Sequence, residues 1–217
     1  MNLVFPRLYA IIDPTLLAVS GLALAEALAE SGVELIQYRD KTAISRHFFE
    51  ISRQLATSLA PRGVRFIVND RPDIALLAGA GGVHVGQEDL GVEDARSICG
   101  RERWVGVSTH TLEQVAAADR TSADYVAFGP IFTTATKKNP DPTVGTELLR
   151  RARQMTTKPL VAIGGITLER AVEVFQAGAD SLAVVRDLIC SPSPAARARE
   201  YLEVAASRGS GSGAGSG

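Results

Sequence analysis

Residues 160–167 read Leu160-Val161-Ala162-Ile163-Gly164-Gly165-Ile166-Thr167, a short apolar run that ends in a pair of glycines. The run is continuous in apolar residues instead of alternating with polar ones, which is typical of a parallel β-strand covered on both faces. A helix is predicted to begin near Thr167, directly after the glycines. The stretch therefore predicts a strand, a tight turn and a helix, which is the repeating unit of an α/β fold.

Apolar runs of this kind occur eight times along the chain. They are Leu8 to Ile12, Val33 to Tyr38, Val64 to Val68, Gly82 to Val85, Trp104 to Val107, Tyr125 to Phe128, Pro159 to Ile163 and Ser181 to Val185. Their starts advance by about 25 residues per step, which suits a strand, a loop, a helix and a second loop. A doubly wound open sheet also alternates strands and helices, but eight units in 217 residues favour closure. The sequence predicts an α/β fold, a single-domain TIM (β/α)8 barrel.

The connections carry helix signals with one exception. Leu22 to Glu30 is rich in Ala, Leu and Glu, Pro72 suits a first helical turn, and Thr111 with Gln114 can form a capping box. Gly129 to Val144 has three prolines and neither a helical nor a strand period. Long loops in compact domains are usually functional, so the segment from Thr133 to Pro142 is the candidate lid.

Composition excludes several classes of protein. With 46% hydrophobic residues, 22% charged residues and a net charge of −1, the chain has no bulk attraction to nucleic acid or to an anionic membrane. No apolar run reaches the ~18 residues of a membrane span, and no secretory signal is recognisable, so a cytoplasmic location is expected. Cys99 and Cys190 lie far apart and are expected to be buried or incidental thiols.

Residues 1–207 are predicted to form the barrel domain. Residues 208–217 are a Gly/Ser-rich stretch that cannot bury apolar surface and is expected to be a flexible tail. The pattern does not reveal an oligomeric state, and a homo-oligomer is compatible with it.

Polar residues cluster where the predicted strands end, and in such barrels the active site lies at the C-terminal ends of the strands. Strand alternation sends Gln37, Arg39 and Lys41 to the same side, so two cations and an amide converge. The other strand ends supply the following groups: Asn69 and Asp70, His84 to Asp89, Ser108 to His110, Thr133 to Lys138, and Arg186.

Asp70 and Asp89 follow neighbouring strands, so their carboxylates can share one hard cation. Mg²⁺ held by one or two carboxylates together with substrate phosphates suits this pair. Alternatively, each aspartate caps the helix that follows it.

Arg39 and Lys41 make sense beside the two aspartates if a diphosphate and a metal ion lie between them. Alternatively, they are solvated charges or partners of Asp40 and Glu34. Gly164 and Gly165 let backbone N–H groups approach an anion at a helix N-terminus, although glycines also serve ordinary strand-to-helix turns.

The three histidines differ in their surroundings. His84 lies inside an apolar strand and is expected to be a hydrogen-bonded barrel residue. His110, at a strand end, is the better functional candidate, and His47 is expected at the surface.

Taken together, these residues resemble the thiamine phosphate synthase family. The stretches that carry the resemblance are Gln37 to Lys41, Asn69 to Arg71, Gly82 to Asp89, Gly106 to His110, Gly129 to Lys137, Ile163 to Ile166 and Ala183 to Val185. The resemblance implies a Mg²⁺-dependent transferase. Its reaction joins 4-amino-2-methyl-5-pyrimidinylmethyl diphosphate to 4-methyl-5-(2-phosphoethyl)thiazole and releases pyrophosphate.

The resemblance also implies residue roles. Gln37 would orient the pyrimidine, and the diphosphate would be held by Arg39, Lys41, Asn69, Ser108 and Lys137. Of these, Arg39, Lys41, Ser108 and Lys137 would be catalytic, because they stabilise charge on the departing pyrophosphate. Asp70 and Asp89 would ligate Mg²⁺, and the thiazole phosphate would be bound by Thr134, Thr136, Gly165 and Val185.

The family mechanism is dissociative, since the bond from the pyrimidine methylene to oxygen breaks before the thiazole nitrogen attacks. It needs cations and a metal more than a nucleophile, and no Ser-His-Asp or Cys-His arrangement is visible. The chain departs from the family at Arg186, where a small hydroxyl residue is usual. Arg186 is expected either to contact the phosphate or to point outward.

Two other functions remain open. A thiazole tautomerase binds the same thiazole phosphate and would use His110 to move a proton, but it has little need for the aspartates and cations. A non-catalytic phosphate-binding barrel would need only the Gly164-Gly165 turn.

Overall fold

Eight parallel strands pair in chain order and close into a barrel. Their bounds are β1 Leu8–Ile12, β2 Leu35–Tyr38, β3 Arg65–Asn69, β4 Gly82–Val85, β5 Trp104–Thr109, β6 Tyr125–Phe128, β7 Leu160–Ile163 and β8 Ser181–Val184. The barrel closes where Tyr9 of β1 pairs with Ala183 of β8. The computed structural model describes residues 5–17, 19–134 and 142–207. The predicted single-domain TIM barrel is confirmed.

Helices follow the strands and cover the outside of the barrel. They are α1 Gly21–Glu30, α2 Ser45–Leu59, α3 Pro72–Leu77, α4 Val92–Cys99, α5 Leu112–Asp119, α6 Gly145–Met155, α7 Leu168–Gln176, α8 Arg186–Ile189 and α9 Pro194–Ala206. In α2 the apolar face buries Phe48, Leu55 and Leu59 while Glu50 remains exposed, as expected for an amphipathic helix on a core. Helix α9 contacts α1 and α7.

Strand bounds agree with the sequence pattern except at some ends. β2 begins at Leu35 although the apolar run begins at Val33, which is buried in the preceding loop. β5 continues beyond Val107 because Ser108 and Thr109 still pair with Ala127 and Phe128 of β6. This extension carries the Ser108 side chain to the C-terminal end of the barrel.

Side chains fill the barrel interior at the end where the strands begin. Phe5 stacks on Trp104 with ring centroids 5.1 Å apart, and the Arg65 guanidinium lies 4.0 Å from the centre of the Trp104 ring. Tyr125, at the start of β6, lies against both aromatic rings. The interior space left by these side chains is at the C-terminal end of the strands.

No helix in the described ranges combines the length and the apolar character that crossing a bilayer requires.

Candidate active site

A cavity of about 1750 Å³ opens at the C-terminal end of the barrel. It brings together every predicted site residue that the structure describes: Gln37, Arg39, Lys41, Asn69, Asp70, Asp89, Ser108, Thr134, Gly165, Val185 and Arg186. Thr136 and Lys137, together with most of the candidate lid, lie outside the described residues. The residues that were predicted to meet at one end of the barrel therefore line the wall of one cavity.

Asp70 and Asp89 lie side by side in this wall, and Lys41 Nζ contacts Asp70 Oδ2. Burial raises the pKa of the Asp70 carboxyl, and hydrogen bonding to Asp89 with its negative charge raises it further, against the lowering effect of Lys41. Two carboxylates this close repel each other unless a cation or a proton lies between them. Asp89 Oδ2 is also oriented by the Gly86 N–H, 2.7 Å away.

The capping alternative for the two aspartates is wrong. Helix α3 begins after Arg71 and α4 begins after Gly91, and neither helix has a side-chain cap. Among the described non-glycine residues, Asp70 alone has a positive φ, of 63°. Left-handed backbone is tolerated by aspartate but costs energy, and such strain concentrates at functional sites.

A third acidic residue, Asp13, holds Arg39. Arg39 Nη1 donates to Asp13 Oδ2 at 2.7 Å, while Asp13 Oδ1 accepts from the backbone and the hydroxyl of Thr15. Asp40 turns away and accepts from the backbone N–H groups of Thr42 and Ala43. The sequence reading that paired the cations with Asp40 and Glu34 is therefore wrong. Asp13 directly follows the first strand, but its residue type alone does not indicate that it pairs with Arg39.

Five polar side chains form a hydrogen-bonded row along the cavity floor, and all of them except Tyr125 line the cavity. Gln37 Nε2 donates to the Tyr9 hydroxyl at 2.6 Å, and the Tyr9 and Tyr125 hydroxyls are 2.8 Å apart. His84 Nδ1 lies 3.0 Å from the Tyr125 hydroxyl, and His84 Nε2 lies 2.9 Å from Ser108 Oγ. His84 is thus a hydrogen-bonded barrel residue, as predicted, and it also lines the cavity. The sequence pattern does not indicate this role for Tyr9, which lies within the apolar run of β1.

The glycine pair lies on the opposite side of the cavity, between β7 and α7. Both residues have left-handed backbone, with φ of 95° at Gly164 and 63° at Gly165. A side chain at Gly165 would place its Cβ 2.5 Å from the backbone oxygen of Thr133. Glycine is therefore required both for the turn and for the close approach of the β6–α6 loop.

Two arginines line the cavity on the side of this turn. Arg170 Nη1 donates to the Gly165 carbonyl at 3.2 Å, and its guanidinium lies 4.3 Å from the centre of the Phe132 ring. Arg186 is exposed where the cavity wall meets the start of α8. This side therefore offers positive charge next to backbone that an anion can approach.

His110 lines the cavity at the end of β5. Its Nδ1 lies 2.6 Å from the Gly129 carbonyl oxygen, which can only accept, so Nδ1 carries the proton. This bond orients the ring. His47 is exposed on α2, as predicted.

In residues 5–17, 19–134 and 142–207, no group of three or more His, Cys, Asp or Glu side chains could hold a metal ion. The Asp70–Asp89 pair would thus supply two protein ligands, and oxygens of a substrate or water would complete the shell. Mg²⁺ commonly binds in this way, through one or two carboxylates and substrate phosphates.

Comparison with known proteins gives consistent matches. The family model described as thiamine monophosphate synthase matches residues 8–188. The thiamine-phosphate synthase of Koribacter versatilis is 47% identical over 210 residues, covering 94% of this chain and 97% of the relative. That of Methanospirillum hungatei is 39% identical over 198 residues, covering 91% of this chain and 96% of the relative. A solved thiamine phosphate pyrophosphorylase from Pyrococcus furiosus superposes with a TM-score of 0.84 at 30% identity, covering 93% of this chain and 96% of that one.

Proposed function

The chain belongs to the thiamine monophosphate synthase family, and from this premise we propose how its cavity carries out the synthase reaction. The enzyme is a transferase that joins 4-amino-2-methyl-5-pyrimidinylmethyl diphosphate to 4-methyl-5-(2-phosphoethyl)thiazole, giving thiamine phosphate and pyrophosphate. One observation supports the assignment within this chain. The paired aspartates with their cations, and the glycine turn with its arginines, line the same cavity.

The diphosphate binds on the side of β2 to β5. Arg39 and Lys41 supply positive charge, Asn69 and Ser108 donate neutral hydrogen bonds, and Lys137, which lies outside the described residues, adds a third cation. Charge-assisted hydrogen bonds to phosphate are about twice as strong as neutral ones, so the cations contribute most of the affinity. Gln37, at the floor, orients the pyrimidine ring.

Asp70 and Asp89 would hold Mg²⁺. Their oxygens are hard ligands, and their proximity gives a pair of like charges that a divalent cation would relieve. When bound, Mg²⁺ neutralises charge on the diphosphate oxygens. Lys41, which contacts Asp70 in this structure, is close enough to the pair to bind the same diphosphate.

The thiazole phosphate binds on the side of β7 and β8. Its oxygens accept from the backbone N–H groups of Gly165 and Val185 and from the hydroxyls of Thr134 and Thr136. Arg186 adds a charged contact where relatives commonly have a small hydroxyl residue.

The bond from the pyrimidine methylene to the diphosphate oxygen breaks first, and the thiazole nitrogen then attacks the resulting cation. Arg39, Lys41, Ser108 and Lys137 stabilise the leaving pyrophosphate, and one well-placed donor of this kind is worth about 3 to 4 kcal/mol. Binding both fragments in one cavity also removes much of the entropic cost of their encounter.

The test is an assay of purified protein with both phosphorylated substrates and Mg²⁺. Thiamine phosphate and pyrophosphate are expected in equal amounts, and EDTA should stop both until Mg²⁺ is added in excess. Absence of product from folded, Mg²⁺-loaded protein would reject the synthase assignment.

Thiazole tautomerase is the second candidate because His110 is oriented by Gly129 and lines the cavity. The two reactions are separated by giving the protein the thiazole phosphate tautomer alone. Isomerisation that survives EDTA and is lost in His110→Asn would favour the tautomerase.

A further inference from the structure

We propose that the row of side chains on the cavity floor is a directional hydrogen-bond chain, running from Gln37 through Tyr9, Tyr125 and His84 to Ser108, which presets both ends for the pyrimidine diphosphate. Its outer members, Gln37 and Ser108, line the cavity, whereas Tyr125 lies beneath the floor. Tyr9, Tyr125 and His84 are thereby positioning residues. This proposal rests on the proposed synthase function.

The donor-to-acceptor direction of the chain can be followed from the side-chain amide of Gln37. Gln37 Nε2 donates to the Tyr9 hydroxyl, which has one proton of its own. Tyr9 is buried and already accepts from Gln37, so its own proton goes to the neighbouring Tyr125 hydroxyl, and Tyr125 in turn donates to His84 Nδ1. Nδ1 is then an acceptor, so the neutral imidazole carries its proton on Nε2 and donates it to Ser108 Oγ.

The Ser108 end of the chain gives the same direction by a separate argument. Diphosphate oxygens only accept hydrogen bonds, so a Ser108 hydroxyl that binds them must donate its proton to them. That proton is then not available to His84, and His84 Nε2 must be the donor to Ser108. With the direction reversed, Ser108 would present only lone pairs to an anion, which is repulsive.

Packing fixes the members of the chain in place. Tyr9 and Tyr125 meet edge to face with centroids 5.8 Å apart, and His84 stacks on Tyr125 at 5.5 Å. Gly106 of β5 leaves the necessary space, because a Cβ there would overlap the Tyr125 ring. Burial raises the pKa of both tyrosine hydroxyls, so each keeps the proton that the chain requires.

The direction of the hydrogen bonds determines what Gln37 and Ser108, at the two ends of the chain, offer to the substrate. With Nε2 committed to Tyr9, the carbonyl oxygen of Gln37 is left to accept from the amino group of the pyrimidine. With its lone pair committed to His84, the Ser108 hydroxyl points its proton at the diphosphate. The chain thereby matches a ligand that has a donor at one end and an anion at the other.

The first test reads the tautomer of His84 directly. Protein labelled with isotopic nitrogen in histidine has three resonance sets, which His47→Asn and His110→Asn assign by elimination. At neutral pH, without substrate, we expect a neutral His84 ring with the proton on Nε2. A proton on Nδ1, or on both nitrogens, would overturn the proposed direction whatever the activity of the protein.

The second test removes one hydroxyl from the middle of the chain. Tyr125→Phe keeps the ring packing but removes two buried hydrogen bonds of the chain, so kcat/KM for the pyrimidine diphosphate should fall by roughly 10-fold or more. KM for the thiazole phosphate should not change. The His84 nitrogen shifts should also move towards a mixture of tautomers.

Tyr38→Phe is the matched control, since Tyr38 is the neighbour of Gln37 in β2 but packs outward on Phe48. Its kinetics and its histidine shifts should stay unchanged. If Tyr125→Phe does not fold, Tyr9→Phe breaks the adjacent link and takes its place. Unchanged kinetics together with unchanged His84 shifts in the folded variant would refute the chain.

These readouts separate the two proposals. A wild-type protein without synthase activity would refute the proposed function, while the His84 nitrogen shifts would still decide the direction of the chain. An active wild-type protein with the opposite tautomer would refute the chain alone.

Discussion

Arg39 and Asp13 form an ion pair of 2.7 Å that ties the end of β2 to the loop after β1. Only 21% of the Arg39 side chain and 7% of the Asp13 side chain are exposed, so water screens the pair weakly. Thr15 holds the other carboxylate oxygen. A cation that is already oriented can meet a diphosphate without first losing side-chain entropy.

Asp13→Asn should lower the free energy of unfolding by about 1.5 to 3 kcal/mol, because it removes a charged partner from a buried hydrogen bond. Glu147→Gln is the control, since its pair with Arg150 on α6 is largely exposed and should cost less than about 1 kcal/mol. Urea denaturation of both variants measures the difference. Equal losses would mean that Asp13 does not hold Arg39 in solution.

Asp89→Asn should fold normally, because an amide oxygen can still accept from the Gly86 N–H. It removes a proposed metal ligand, so turnover should fall by roughly 100-fold or more, the scale of losing one group that stabilises developing charge. The Mg²⁺ concentration for half-maximal activity should rise. Glu50→Gln makes the same chemical change on exposed α2 and should alter neither quantity. Unchanged turnover in Asp89→Asn would remove Asp89 from the site.

Gly165→Ala and Gly63→Ala separate backbone strain from steric overlap. Both positions are left-handed, with φ of 63° and 73°, so each alanine should cost about 1 kcal/mol of strain. Nothing lies within 4 Å of a Cβ at Gly63, whereas at Gly165 the Thr133 oxygen is 2.5 Å away. Overpacking adds about 1 to 3 kcal/mol, and KM for the thiazole phosphate should rise only in Gly165→Ala. Thermal denaturation and steady-state kinetics provide the comparison.

The two cysteines should react at very different rates with a thiol reagent. Cys99 is 1% exposed and burial raises the pKa of its thiol, which lowers the thiolate fraction. Cys190 is exposed. With a reagent that changes colour on reaction with a thiol, native protein should therefore show one rapidly reacting thiol per chain. Cys190→Ser should abolish this fast phase. A fast phase that persists in Cys190→Ser would show that the α4 region opens readily.

The barrel was predictable because each strand can be recognised from the pattern of its own residues. β1, β4 and β6 have the predicted bounds, since a continuous apolar run between polar loops leaves little choice of where a buried strand begins and ends. Placement of the cavity residues followed from the same periodicity, which sent Gln37, Arg39 and Lys41 to one side. Their roles as ligands, and the cytoplasmic location and oligomeric state, stay predictions.

Contacts across the barrel were not predictable from local pattern. Tyr9 and Tyr125 are 116 residues apart, and they meet only because closure brings β1 and β6 to facing positions. The pairing of Arg39 with Asp13 instead of its neighbour Asp40 depends on how the loop after β2 turns. Such turns are decided by hydrogen bonds that the polarity of a residue does not reveal.

The side chains of Phe5, Trp104 and Tyr125 fill the barrel at the end where the strands begin. Among the described residues, the cavity therefore opens only at the C-terminal end of the strands. In the proposed arrangement the pyrimidine lies deepest, against Gln37. Because the two substrates bind on opposite sides of the cavity in this arrangement, both must enter, and both products must leave, through that one opening.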